Sequence, residues 1–268
     1  MLIFIGLGLS IRHLTLEAIY WLNNVDKVII DTYTGFTDGF DIDFIKNITC
    51  NKSVEIVLAE RKDLESRAIN DIIEEARFRN IAILVPGDPF IATTHDAIRV
   101  EALKSNVKVI VVNGLSIHTL AISRTGLQSY RFGKTVTLVY PDVSKPYSVV
   151  DVIYDNITRN LHTLVLLDYR SDENKYMSIP EAVNLLLDLD YKNLLDRIIG
   201  VGLARIGTID EYIVADILPD LRDYQYPKPP HSLIIVAKPH PVELDCLKNI
   251  CKLPDRLYRK YLSSKEYP

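Results

Sequence analysis

The chain has 268 residues, of which 48% are hydrophobic and 25% charged, and its formal net charge is -4. This composition predicts a globular protein of one large or two ordinary domains, and it excludes a disordered or fibrous chain. A mildly acidic chain without a basic stripe is also unlike a generic nucleic-acid binder, so we expect no direct nucleic-acid partner.

The amino-terminal stretch MLIFIGLGLSIRH indicates a first strand, because no basic residues precede its apolar run and no small-residue cleavage site follows it. No apolar run approaches the roughly 18 to 20 residues of a membrane span. Cys50, Cys246 and Cys251 have no paired spacing, which predicts incidental thiols and neither a disulfide framework nor a zinc site. We therefore expect a cytoplasmic protein with no membrane partner.

Strand-like and helix-like stretches alternate along residues 1–113. In chain order we predict strand 2–8, helix 14–24, strands 27–33 and 54–58, helix 64–80, strand 81–89, helix 95–104 and strand 107–112. Continuously apolar strands separated by helices predict a parallel sheet that is covered on both faces. Because such sheets bind ligands beyond the carboxyl ends of their strands, the loops after LIFIGLG, LVPGDP and IVVNG should share one edge.

The rest of the chain predicts a second α/β lobe. Its elements are helix 116–127, the segment YRFGKTVTLVYP, helix 149–161, strand 162–168, helix 179–189, strand 197–207 and the apolar SLIIVAKP. A boundary is indicated near Gly126 to Lys134, within about ten residues, by two glycines among polar and aromatic residues. We expect an N-terminal domain at 1–113 and a C-terminal domain at 114–268.

The first predicted loop has features of a cofactor loop. Gly6 and Gly8 let a ligand approach the main chain, but Ile11 stands at the third glycine position of a dinucleotide fingerprint. An ordinary turn therefore explains this loop equally well. Asp31 ends the next strand where a ribose-binding acid would stand, yet the missing glycine disfavours a nicotinamide oxidoreductase. The six histidines lack metal-ligand spacing, which predicts no metal site.

The second loop, PGDP at 86–89, is the more informative one. Its prolines fix φ on both sides of a glycine, so the turn should present its groups rigidly. Asp88 is either a cap for the following helix or an acceptor for a ligand hydroxyl or amine, and Thr93 and Thr94 could cap that helix equally well. In the third loop, Ser116 precedes an apolar helix and is a natural N-cap.

Six stretches follow one another along the chain: FIGLGLS, VPGDPFIATTH, NGLSIHTLAISRTGLQSYRFGK, NLHTLVLLD, GLARIG and PPHSLIIVAK. Together they closely resemble the diphthine synthase family, S-adenosylmethionine-dependent methyltransferases of the tetrapyrrole methylase class, over nearly the whole chain. GLGLS replaces the GxGPGD-like first loop of the tetrapyrrole enzymes, which favours the diphthine branch. Leu115 stands where a proline is expected, and Asn160 where a glycine is more usual.

The resemblance implies two α/β lobes of the tetrapyrrole methylase type, with the cofactor in the cleft between them, and a homodimer. It implies transfer of methyl groups from S-adenosylmethionine to the 3-amino-3-carboxypropyl-histidine of translation elongation factor 2, in diphthamide biosynthesis. The products would be diphthine, trimethylated in archaeal-type members, and S-adenosylhomocysteine. The implied cofactor contacts are Leu9, Asp88, Ile91, Ser116, Ile117, Leu167, Ile206 and His231.

No catalytic side chain is implied, because the sulfonium is already activated and an in-line displacement needs position more than acid or base chemistry. Two alternatives stay open. One is a methyltransferase of the same fold that acts on a tetrapyrrole or on ribosomal RNA. The other is a non-catalytic module that binds a cofactor and a protein partner, which the three intact loops disfavour.

Overall fold

The computed structural model of the chain describes residues 1–49, 53–65, 68–142, 144–171 and 173–263. The chain divides into two compact units, Met1–Ile117 with Ser171–Glu173, and His118–Arg170 with Asn174–Pro268. Across the described ranges, no helix combines the length and the apolar content that crossing a membrane requires.

The first unit is built on a parallel sheet. Its elements are β1 (Leu2–Gly6), α1 (Leu16–Leu22), β2 (Lys27–Asp31), α2 (Ile42–Ile48), β3 (Glu55–Ala59), α3 (Ala68–Ala76), β4 (Ile81–Val85), α4 (Asp96–Lys104) and β5 (Val109–Val112), and α5 (Ile117–Thr125) begins at its end. In the described residues the strand order is β3-β2-β4-β1-β5, and every neighbouring pair is parallel. The predicted parallel sheet is therefore confirmed.

The central strands β1 and β4 are buried at every position. Alternate residues enter different cores, with Leu2 and Phe4 in one cluster and Ile3 and Ile5 in the other. Burial on both faces explains why these strands are continuously apolar in sequence. By contrast, α2 was not predicted, because it has only seven residues, too few for a helical period to stand out, and only Ile45 is buried.

The second unit contains a mixed sheet. Its elements after α5 are β6 (Val136–Leu138), α6 (Tyr147–Thr158), β7 (Thr163–Leu167), β8 (Tyr169–Arg170), β9 (Lys175–Tyr176), α7 (Ile179–Leu189), β10 (Ile199–Ala204), β11 (Tyr212–Ile217), β12 (His231–Ile235), α8 (Pro241–Asn249) and α9 (Asp255–Ser263). The main sheet has the order β11-β10-β12-β7-β6, in which only the described pair β6–β7 is parallel. The sequence prediction omitted β8, β9, β11, α8 and α9.

A buried carboxylate joins two of the sequence motifs in this unit. Glu243, which is fully buried in α8, accepts a hydrogen bond from the main chain of Gln128 at 2.9 Å and forms an ion pair with Arg131. It also accepts from the main chain of His240 at 2.8 Å and lies 3.1 Å from Nε2 of His162, whose Nδ1 accepts from the main chain of Ala237 at 3.0 Å. The TGLQSYRFGK and LHTL motifs are thus held together by a satisfied polar network.

Asn160 departs from the family pattern without changing the backbone. Its φ is +57°, the left-handed region that glycine enters most easily. Asparagine is among the few other residues that adopt this conformation readily. The turn before β7 therefore keeps the shape that a glycine would give it.

Cys246 and Cys251 are free thiols, and Cys251 is buried. Burial raises the pKa of the Cys251 thiol to about 12, which keeps it protonated and unreactive at neutral pH. Cys50, the third predicted incidental thiol, lies outside the described residues.

The Glu243 network predicts a specific dependence of stability on pH. Burial raises the pKa of Glu243, but hydrogen bonds from His162, Gln128 and His240 outweigh it and lower the pKa from 4.5 to about 2. A carboxyl whose pKa is depressed by folding stabilises the protein above its unfolded pKa and loses that stabilisation as the pH falls through its folded pKa. The expected loss between pH 4.5 and about 2 is on the order of 3 kcal/mol.

The measurement is urea unfolding of the unmodified chain and of Glu243→Gln at a series of pH values. At pH 7 the variant should have the smaller free energy of unfolding, because it leaves Arg131 and His162 without a charged partner. The two free energies should converge as the pH falls from 4.5 towards about 2, since the Glu243 carboxylate becomes neutral in the folded protein only at the lower end of this range. A difference that is constant with pH would contradict this role.

Candidate active site

Three loops of the first unit meet at the carboxyl edge of its sheet. Gly8, after β1, and Gly87, after β4, exchange two main-chain hydrogen bonds of 3.0 Å each. A Cβ atom on Gly6 would lie 2.5 Å from the nitrogen of Gly114, after β5, and 2.7 Å from the oxygen of Gly87. The prediction that these loops share one edge is therefore confirmed, and they touch main chain to main chain.

The carboxylate of Asp88 fixes the PGDP turn to the next loop. Gly87 has φ +72°, a conformation that other residues rarely adopt. Oδ1 of Asp88 accepts from the main chain of Phe90 at 2.9 Å, while Oδ2 accepts from Nδ2 of Asn113 at 2.9 Å and from the nitrogen of Gly114 at 3.3 Å. Asp88 therefore closes its own turn and links the β4 loop to the β5 loop, and it does not cap α4.

The threonines that could have capped α4 bind elsewhere. Oγ1 of Thr93 donates to the carbonyl of Pro89 at 2.6 Å, and Oγ1 of Thr94 donates to Glu65 at 3.3 Å. His95 occupies the N-cap position, and its side chain makes no capping hydrogen bond. The start of α4 is consequently set by tertiary contacts of the loop that precedes it.

One such contact is a buried pair between His95 and Asp31, a residue that the sequence marked only as a possible ribose-binding acid. Nε2 of His95 lies 2.8 Å from Oδ2 of Asp31, and both side chains are fully buried. Oδ1 of Asp31 accepts from the main chain of Tyr33 at 2.9 Å and of Thr34 at 3.0 Å. Burial opposes ionisation of Asp31, but these hydrogen bonds outweigh it and lower its pKa. The pair fastens the beginning of α4 to the end of β2.

The five site residues predicted in this unit lie on the same loops. A Cβ atom on Gly87 would contact the side chain of Leu9 at 3.8 Å and Cα of Ser116 at 3.9 Å, so these three residues are neighbours. Ser116 is buried, and Ile117 is the first residue of α5. Ile91 leaves 42% of its surface exposed, an apolar side chain open to a ligand at this edge.

The three site residues predicted in the second unit also converge. His231 begins β12 and pairs with Ala204, the last residue of β10, and Ile206 follows two residues later. Leu167 ends β7, which runs antiparallel to β12 and so finishes beside its start. Leu167, Ile206 and His231 are all buried at this end of the mixed sheet.

His231 is a neutral residue that orders this end of the sheet. Its Nε2 donates to the carbonyl of Pro227 at 2.7 Å, and its Nδ1 accepts from the main chain of Ile179 at 3.2 Å. Burial, with a smaller contribution from Arg205, lowers the pKa of His231. Both ring nitrogens thus bind partners within the unit and connect β12 to α7.

A cleft of about 570 Å³ opens beside the loops of the first unit. Leu7 and Pro86, which belong to the β1 and β4 loops, form part of its wall, and Leu58 of β3 forms another part. The remaining lining comes from the end of β2, the segment that leads into α2, and α2 itself: Ile30, Asp31, Thr32, Gly35, Phe36, Thr37, Phe40, Asp41, Ile42, Asp43 and Lys46. The sequence predicts a strand over 27–33 and singles out Asp31, but it assigns no role to residues 35–46.

Comparison with known proteins gives consistent matches. Residues 1–221 match the family model described as Tetrapyrrole (Corrin/Porphyrin) Methylases. The chain is 61% identical over 268 residues to the diphthine synthase of Staphylothermus marinus, covering 100% of both proteins. It is 38% identical over 259 residues to that of Sulfurisphaera tokodaii, covering 92% of this chain and 98% of the relative. A crystal structure of diphthine synthase matches with a TM-score of 0.87 and 33% identity, covering 96% of this chain and 98% of that one.

The close approach of the three loops predicts that two glycine-to-alanine substitutions will differ in their effect on stability. Gly6→Ala places a methyl group against the main-chain atoms of Gly87 and Gly114. The free energy of unfolding should therefore fall by about 3 kcal/mol or more. Gly35→Ala is the matched control in the same unit, because its Cβ would meet only Cβ of Pro86, at 3.4 Å. Denaturant unfolding of both variants tests this, and equal losses would contradict the close approach at Gly6.

Proposed function

The chain belongs to the diphthine synthases of the tetrapyrrole methylase family and is a methyltransferase, and on that premise we propose its substrates. It transfers methyl groups from S-adenosylmethionine to the amino group of the 3-amino-3-carboxypropyl-histidine of elongation factor 2, which gives diphthine. The observation that carries this proposal is the 61% identity to a diphthine synthase over the full length of both chains. The family description also names tetrapyrroles, which are therefore the second candidate substrates.

The edge residues of the first unit suit such a cofactor. Leu9 and the 42% exposed Ile91 offer apolar side chains to a planar base. Asp88 accepts three hydrogen bonds, whereas a carboxylate has roughly four acceptor positions, so capacity remains for a ligand hydroxyl or amine. The residues proposed to bind the cofactor are Leu9, Asp88, Ile91, Ser116, Ile117, Leu167, Ile206 and His231.

The contribution of the protein is to position the acceptor amine relative to the methyl donor. The bound cofactor supplies an activated methyl group, so the acceptor amine needs only to be neutral and in line with it. The contact of Gly6 with Gly87 and Gly114 gives the loops little freedom, and the Asp88 carboxylate adds a second link between them. The proton released after a transfer passes to solvent or to a nearby carboxylate.

The cellular compartment of the enzyme follows from the proposed substrate. An elongation factor acts during translation, so the enzyme that modifies it works in the cytoplasm. We extend the proposal to a cytoplasmic homodimer, the assembly that the family resemblance implies. Size-exclusion chromatography with light scattering measures that assembly directly.

The first test concerns Asp88. In Asp88→Ala the affinity for S-adenosylmethionine, measured by calorimetry, should weaken by about 1–3 kcal/mol, because a hydrogen-bond acceptor is lost from a buried site. Asn113→Ala is the control, since it removes one donor to Asp88 and keeps the carboxylate. A smaller loss in Asn113→Ala supports direct contact with the cofactor. Unchanged affinity in a folded Asp88→Ala would refute the proposed role.

The second test identifies the acceptor. The purified protein is incubated with S-adenosylmethionine and, separately, with elongation factor 2 bearing the unmethylated arm, a precursor tetrapyrrole or ribosomal RNA. Mass spectrometry should find successive gains of one methyl mass on the modified histidine alone, and S-adenosylhomocysteine in place of the donor is the blank. Transfer only to a tetrapyrrole or RNA would overturn the substrate, and cofactor binding without any transfer would support a non-catalytic module.

A further inference from the structure

We infer that the cleft between β2, β3 and the segment leading into α2 is the acceptor pocket, which holds the substrate arm and its methylated, cationic amine. This inference rests on the proposed function and adds to it the place in the first unit where the acceptor group binds. Three observations carry it: the position of the cleft, its size, and the chemistry of its lining.

The position of the cleft suits an acceptor. Leu7 and Pro86 belong to its wall, and each stands two residues before a proposed cofactor contact, Leu9 and Asp88 respectively. The acceptor pocket therefore adjoins the two loops proposed to bind the methyl donor. Methyl transfer requires the acceptor nitrogen within bonding reach of the donor carbon, so its pocket has to border those loops.

The size of the cleft suits one extended side chain. Its volume of about 570 Å³ lies within the usual range for small-ligand pockets of roughly 300–1,000 Å³. The wall is largely apolar, which suits the imidazole and the carbon chain of the arm. Leu58, which is 52% exposed, provides apolar surface at the edge strand β3.

The lining suits a methylated amine. A fully methylated ammonium has no N–H to donate, so proteins bind it through aromatic rings and negative charge. The acceptor pocket has two phenylalanines, Phe36 and Phe40, and its three aspartates outnumber its single lysine. Lys46 and Asp43 form an ion pair of 3.1 Å and compensate each other, which leaves Asp31 and Asp41 as the net negative charge of the lining.

The same lining suits the transfer of several methyl groups, one after another, to the same amine. At each step the amine nitrogen forms a bond to the methyl carbon while the carbon–sulfur bond breaks, and its electron pair leaves with the sulfur. The resulting ammonium loses a proton to solvent before the next transfer, and the third transfer leaves a permanent cation. A pocket that binds cationic intermediates keeps the arm in place until methylation is complete.

The experiment compares two acceptor-pocket variants with two matched controls. Phe36→Leu removes an aromatic ring, and Asp43→Asn removes an exposed charge from an (i,i+3) ion pair. Phe78→Leu makes the first change at a residue that is 88% exposed at the opposite end of the parallel strands, and Glu74→Gln makes the second in the (i,i+3) pair with Arg77. Each variant is assayed on elongation factor 2 bearing the unmethylated arm, with cofactor affinity measured by calorimetry.

Both acceptor-pocket variants should raise KM for the elongation factor, Phe36→Leu by about tenfold, the scale of a cation–π contact. They should also release more mono- and dimethylated product, while cofactor affinity stays within about twofold and both controls behave as the unmodified chain. Unchanged KM and methyl distribution would overturn the acceptor pocket alone. Absence of transfer by the unmodified chain would overturn the proposed function and the inference that rests on it.

Discussion

The main-chain contact between the loops after β1, β4 and β5 is the constraint on which the first unit's site depends. Because β1 lies between β4 and β5, its loop has to pass between theirs, and a Cβ atom at Gly6 would not fit there. The reciprocal hydrogen bonds of Gly8 and Gly87 then fix the register of two loops. Rigid loops at this sheet edge favour a reaction whose rate depends mainly on the correct placement of two reactants.

The second unit is organised by different means. Its sheet is mostly antiparallel, and buried side chains join its loops through hydrogen bonds, with His231 at the proposed cofactor end and Glu243 between the family motifs. A buried charge is stable only when partners compensate it, so Glu243, Arg131 and His162 depend on one another. Several residues that mark the family in sequence therefore serve the fold of this unit.

The sequence predicted every strand of the parallel sheet but missed several elements elsewhere. Continuous burial of β1 and β4 gave unmistakable strands, and the alternation of strands and helices predicted two α/β lobes, a fold class that the family and structural matches confirm. In β11, the buried Asp216 interrupts the apolar run and is satisfied by Tyr224 at 2.8 Å, a partner that no local pattern reveals. The charged α9 was also missed, although its buried residues, Leu257 and Tyr261, stand four positions apart on one face.

By itself, the sequence determined the strands of the parallel sheet, the order of the loops and the family, because these follow from apolar period, glycine and proline positions and motif spacing. Only the tertiary structure decided what the polar residues bind. Asp88 joins Asn113, and Asp31 joins His95 across 64 residues of chain. The tertiary structure likewise brought together the residues that line the acceptor pocket, which come from separate stretches of the sequence. Such contacts depend on the strand order, which the local pattern does not encode.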